Sequence, residues 1–164
     1  MPVLQRLNAG HAPAVLAFEL ANRAWFAASI SDRGDDYFTE FPDRHNALLA
    51  EQRAGVCAFY VLVADDAVLG RFNLFDIGNH SATLGYRMAE HACGRGLATA
   101  TVRDLCGLAA TEYGLRRLRA AAADRNIASR RVLTKAGFVP TGPASPGGQP
   151  GTWFERNLTA AEWR

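Results

Sequence analysis

The stretch that most constrains the fold is Cys93-Gly-Arg-Gly-Leu-Ala-Thr-Ala100, where two glycines straddle an arginine and small residues open a helical pattern. Glycine lets the backbone turn its N–H groups inward without a Cβ penalty. A helix starting immediately behind adds unpaired amides and the positive end of its dipole. Together these make a cradle for an anion, most naturally a phosphate or pyrophosphate.

The flanking patterns say what delivers and leaves that loop. Upstream, Val56 to Val63 is a continuous apolar, β-rich run, as expected of a strand buried on both faces. Asp65-Asp66 marks a turn, Val68 to Phe75 a second strand, Gly78-Asn79-His80 another turn, and Thr83 to Met88 a third strand. Such short connections predict an antiparallel meander. Downstream, Ala98, Val102, Leu105, Cys106 and Ala109 share one face of a helix that stops at Gly114. Leu115 to Ala123 reads as a strand. Asn126 to Ala136 reads as a short helix with Ala128, Val132 and Ala136 inward and Arg130, Arg131 and Lys135 outward. A strand starts at Phe138, a Gly/Pro-rich surface loop fills Thr141 to Gly151, and Thr152 to Leu158 closes the chain as a strand.

The N-terminal third differs. Val3 to Leu7 is a short strand, and Asn8 caps a helix with Pro13 in its first turn. Val15, Phe18, Ala21, Asn22 and Trp25 then give helical spacing to about Ala28. A second helix begins near Asp36, breaks at Pro42 and resumes from Asp43 to Ala54.

At 164 residues the chain reads as one domain, 1–164, able to bury a real core. A net charge of +2 is too small to argue for nucleic acid or an anionic membrane surface. The most apolar early stretch, Ala12 to Ile30, carries Glu19 and Arg23 and so does not span a membrane, and no signal pattern precedes it. Cys57, Cys93 and Cys106 show no metal-ligand spacing. The reading is a cytoplasmic protein with reduced thiols, no metal, and no nucleic-acid or membrane partner.

The order is strand, two helices, meander, glycine loop, helix, strand, helix, strand, loop, strand. It resembles the GNAT acetyltransferase superfamily over nearly the whole chain, most strongly from Val68 to Phe138. The family's cofactor motif, Q/R-x-x-G-x-G/A, is matched by Gly96 and Ala98, with Cys93 departing at its first position. A second motif, Asn126-Ile-Ala-Ser129 continuing to Lys135-Ala-Gly137-Phe138, is similar to that of the RimJ/RimL branch, the ribosomal-protein N-terminal acetyltransferases. Leu84-Gly85-Tyr86 and Trp153-Phe154 also fit that branch.

The resemblance implies an α/β (α+β) fold: a mixed, mostly antiparallel twisted sheet with a strand splay, flanked by helices on both faces. It also implies acetyl-CoA as co-substrate and an amine acceptor, a protein N-terminus or a small molecule. The pantetheine arm would pair with the backbone of Met88 and bond to Asn126. The amides around Cys93, Gly94, Arg95, Gly96, Leu97, Ala98 and Thr99 would hold pyrophosphate, and Arg95, Arg130 or Arg131 would meet the 3′-phosphate. Many relatives supply the leaving thiolate's proton from a tyrosine seven residues after the motif asparagine; here that position is Leu133, and the resemblance to the RimJ/RimL branch, which places a serine near the CoA sulfur, implies Ser129 in that role. The general base is left open among Glu155, Asp76, His80 and Glu19, and a base relayed through water is common in the family.

Tyr86, Trp25 and Phe26 would line the acceptor pocket, with Tyr37 and Phe38 as further aromatics. Beside these roles stand plainer ones: Asn126 as a helix cap, Arg130 and Arg131 as a solvated face, and the aromatics as core. The alternatives are a non-catalytic acyl-CoA-binding module and an acyltransferase using another donor such as succinyl-CoA. A monomer or a homodimer fits either.

Overall fold

The computed structural model describes residues 1–163. Seven strands form one sheet in the order β1-β2-β3-β4-β5-β7-β6. The chain packs as two compact units: Met1–Asn73 with Tyr86–Cys93, and Leu74–Gly85 with everything from Gly94 onward.

In the first unit, β1 (Val3–Arg6) runs antiparallel to β2 (Ala58–Ala64), with Val3 opposite Val63 and Arg6 opposite Tyr60. β2 is buried from Ala58 through Leu62, as its unbroken apolar run requires. Asp65 and Asp66 both take positive φ, the backbone of a two-residue hairpin turn into β3 (Ala67–Gly78). Four helices lie between β1 and β2: α1 (Ala12–Ala21), α2 (Arg23–Ala27), α3 (Asp35–Thr39) and α4 (Phe41–Arg53).

Two breaks differ from expectation. The first long helix is interrupted at Asn22, which is buried: its Nδ2 donates to Phe18 O at 2.9 Å and its Oδ1 accepts from Glu90 N at 3.0 Å. Asn22 is a polar joint, not one more residue of the apolar face. The second break falls at Glu40, between α3 and α4, and not at Pro42. Pro42 sits in the first turn of α4, where its missing N–H leaves nothing unsatisfied. Buried Gln52 then ties α4 to β2 and to the residue that follows β1, accepting from Phe59 N and donating to Leu7 O, each at 2.9 Å.

In the second unit, Asn79 and His80 turn the chain with positive φ into β4 (Ser81–Met88). The sheet's parallel pairing with β5 (Arg117–Ala123) covers Ser81–Thr83 against Arg117–Arg119 and goes no further. The strands splay beyond it. β5 instead pairs antiparallel along its whole length with β7 (Gly151–Asn157), Ala120 opposite Phe154.

Between these strands lie α5 (Leu97–Thr111) and α6 (Ile127–Lys135), which pack on each other. Val102, Leu105, Cys106 and Ala109 are buried on α5 as the spacing predicts. On α6 the inward face differs: Ala128 is exposed and Leu133 is buried. The predicted loop from Thr141 also differs, because β6 runs through Val139–Ala144. Pro140 and Pro143 are tolerated there because β6 is the sheet's edge, with an irregularity between Pro140 and Gly142. Among the described residues no helix is long and apolar enough to cross a membrane.

Candidate functional site

The glycine loop has the conformation an anion cradle needs. Cys93 is extended, whereas Gly94 and Gly96 have φ of +79° and +76°. A Cβ at either glycine would meet nothing within 4 Å, so the backbone conformation and not crowding requires glycine. Gly94, Arg95 and Gly96 are exposed, and Leu97, Ala98 and Thr99 form the half-buried first turn of α5. No side chain caps that turn. Its leading amides have no partner one turn back, and the helix dipole adds positive potential. The start of α5 therefore fits a phosphate group in both geometry and charge.

Cys93 beside this loop is not activated by it. Partial burial, and then the carboxylate of Glu90, push its thiol pKa up, and Sγ donates to Ala89 O at 3.3 Å. A helix N-terminus by itself lowers a thiol's pKa, so burial and Glu90 outweigh it here.

α6 starts differently from α5. Asn126 caps it, Oδ1 accepting from Ser129 N at 3.2 Å, so the cap role of the motif asparagine is fulfilled. Ser129 lies half-buried in the first turn, next to Arg130. Arg130 Nη1 donates to Asp124 Oδ1 at 2.9 Å and to Thr152 Oγ1 at 3.1 Å, and its guanidinium lies over the Phe154 ring. Arg130 is thus a structural tie between α6 and β7, while Arg131 is exposed. Leu133 is buried in the core, and a leucine there offers no hydroxyl.

Glu155 projects from β7 between two arginines, with Oε1 3.3 Å from Arg119 Nε and 3.8 Å from Arg117 Nη1. The Arg119 contact is an ion pair whose geometry falls short of a hydrogen bond. Arg119 also lies over Trp153, 4.1 Å from the ring centre. Asp76 and His80 are exposed residues held at positive φ.

In the first unit, Met88 is buried, its Sδ resting where a Cβ on Gly70 would lie 2.5 Å away. Ala89 N donates to Leu69 O at 2.8 Å. The N–H and C=O of one trans peptide point in opposite directions, so the Met88 carbonyl faces away from β3. Trp25 Nε1 donates to it at 3.3 Å, while 41% of Trp25 stays exposed. Phe26 is buried edge-on to Phe18 and beneath the Arg87 guanidinium, and Tyr86 stacks on Phe72 at 5.4 Å.

Glu19 is sequestered. It is 1% exposed and bound by three arginines: Arg33 through two bonds of 3.1 Å, Arg71 at 2.8 Å and Arg87 at 3.0 Å. Burial alone would raise its pKa, but the Arg33 hydrogen bonds and the three guanidinium charges outweigh it and hold the carboxyl below its ordinary value. Every carboxylate oxygen faces a cation. This cluster is the largest feature that sequence reasoning missed. The available signal was a carboxylate at position 19 between apolar residues of one helix, which demands buried partners.

A family model for the acetyltransferase (GNAT) domain matches residues 3–139. The chain is 30% identical over 153 residues to "Probable N-acetyltransferase YjcK" of Bacillus subtilis (strain 168), covering 88% of this chain and 84% of that one. Among solved structures it is similar to the ribosomal-protein-S5-alanine acetyltransferase of Vibrio fischeri: TM-score 0.87, 20% identity, 98% of this chain and 94% of that chain. It is also similar to the Vibrio cholerae spermidine N-acetyltransferase, solved with CoA and spermine: TM-score 0.78, 18% identity, 96% and 95% covered. At these identities the two structural likenesses establish the fold.

Proposed function

The chain belongs to the GNAT acetyltransferase family and is an acetyl-CoA-dependent N-acetyltransferase of that type; on that premise we propose that it passes the acetyl group directly to a primary amine. The observation that carries the reading is the uncapped start of α5 behind two left-handed glycines. Its amides from Gly94 to Thr99 hold the pyrophosphate, with Arg95 and Arg131 at the 3′-phosphate. The Met88 carbonyl takes a pantetheine N–H, and Asn126 a second pantetheine contact.

Acetyl-CoA supplies a thioester carbonyl carbon to the attacking amine. The new C–N bond forms as the C–S bond breaks. Ser129 gives its hydroxyl proton to the departing thiolate and regains one from solvent, while the amine's own proton leaves through water. Glu155, held by Arg117 and Arg119, orders that water and does not touch the amine. Trp25 and Phe26 form the acceptor's wall beside Met88, with Tyr86 on the same strand.

Isothermal titration with acetyl-CoA tests the cradle: Gly96→Val should abolish binding, and retained affinity would place the cofactor elsewhere. A second reading, CoA binding without turnover, is favoured by Leu133 standing where relatives place a tyrosine. It predicts binding by titration and no thiol release with any amine.

A further inference from the structure

Trp153 takes no step in the transfer, yet one arginine links it to Glu155. The β5–β7 register sets Arg119 directly opposite Glu155 and Ala121 opposite Trp153. Side chains alternate between the faces of a strand, so Arg117, Arg119, Trp153 and Glu155 share one face of this pair. Leu118, Ala120 and Phe154 are buried on the other. Arg119 and Trp153 are diagonal neighbours, within reach for a long and an aromatic side chain. The guanidinium lies over the Trp153 ring, 4.1 Å from its centre, and that stack fixes where the N–H groups point.

Arg119 also marks a place in the sheet. Thr83 opposite Arg119 is the last rung of parallel pairing between β4 and β5, so the arginine stands where the two strands part. Its Nε is buried and has no hydrogen-bond partner among the described residues. Glu155 Oε1 lies 3.3 Å away, near enough to accept but off the required angle. Arg117 Nη1 approaches the same oxygen at 3.8 Å. A buried N–H without an acceptor costs free energy, and a small turn of the Glu155 carboxylate would supply one. A cross-strand ion pair stabilises a sheet wherever it lies. Stability alone does not call for two cations on one carboxylate oxygen at the point of splay.

We propose that Arg119, its guanidinium fixed over Trp153, is a positioning residue for Glu155. It turns the carboxylate so that Oε1 faces β5 and Oε2 takes the water that carries away the amine's proton. This deepens the acetyl-transfer reading and rests on it for the role of Glu155, but not for the geometry of the pair. A lysine at position 119 would keep the charge but neither the planar fork nor the stack.

Thiol release from acetyl-CoA is followed with spermidine and with an alanine-first hexapeptide, on whichever is turned over faster and with variants shown to be folded by circular dichroism. Glu155→Gln should lower kcat by about a hundredfold. Arg119→Gln should lower it by about tenfold, with KM for acetyl-CoA changed by less than about twofold. Arg119→Lys should recover only part of that loss. Trp153→Leu, which frees the guanidinium, should also lower kcat. In the Glu155→Gln background, Arg119→Gln should cost less than about twofold more, because it acts through that carboxylate. Losses that multiply in the double variant overturn the proposal, as does full rescue by lysine. Unchanged kcat in Arg119→Gln alone overturns the positioning and leaves the transfer reading standing, whereas unchanged kcat in Glu155→Gln removes the carboxylate from the reaction and the proposal with it.

The geometry is read separately by NMR of the full chain, without acetyl-CoA or acceptor. Loss of one Nε–H signal in Arg119→Gln assigns it. That signal should move in Glu155→Gln and in Trp153→Leu. A signal that Glu155→Gln leaves in place refutes the pairing, whether or not any amine is acetylated. If neither acceptor is turned over, this signal alone decides.

Discussion

Glu19 concentrates the residue-scale energetics. Glu19→Gln removes the only carboxylate among three converging guanidiniums, and unmatched buried charge costs about 3–5 kcal/mol. Urea unfolding at pH 7 should show a loss of that size. Because the folded pKa lies below the usual 4.5, Glu19 contributes stability above pH 4.5 that fades as pH falls through the folded value. The variant should therefore lose stability less steeply on the acid side than the wild type. Ser129 is the second residue to test. Ser129→Ala should lower kcat by about a hundredfold while acetyl-CoA affinity holds. Unchanged kcat would remove the serine from proton delivery. Glu19 also shows what single residues conceal: its place on α1 was readable, but Arg33, Arg71 and Arg87 come from three distant segments that no local spacing connects.

At the scale of elements, legibility followed how local the cause was. The glycine loop, the hairpin turns and the α5 stripe were readable because φ preference and helical period act within a few residues. The break at Asn22 was not, because its reason is a hydrogen bond from Glu90 N, sixty-eight residues away. The extension of β6 was missed likewise: prolines argue against a strand until the strand is known to be an edge. Trp25 shows the same dependence on tertiary context. Its aromatic character suggested an acceptor wall, whereas its N–H occupies the Met88 carbonyl. If pantetheine displaces the indole from that carbonyl, Trp25→Phe should tighten acetyl-CoA binding about 2- to 10-fold, the worth of one hydrogen bond, by calorimetric titration. Weaker or unchanged binding would mean that the indole is not displaced.

For the whole molecule, the mixed sheet with its splay was legible through the family resemblance that the succession of elements carries, and not from periodicity alone. The conformation of the glycine loop was legible too, because it is backbone and helix terminus. The base was not: Glu155 is held between arginines and Glu19 is buried among them, so a carboxylate's role depends on cations that spacing does not reveal.

The central claim is that the start of α5 binds acetyl-CoA. Thermal unfolding with and without the ligand at a hundred times its dissociation constant tests it most directly, alongside Gly96→Val. The account predicts stabilisation of about 2.7 kcal/mol, a rise of roughly 5 to 10 °C. The same ligand should leave the valine variant unmoved. No rise in the wild type, or an equal rise in the variant, would contradict it.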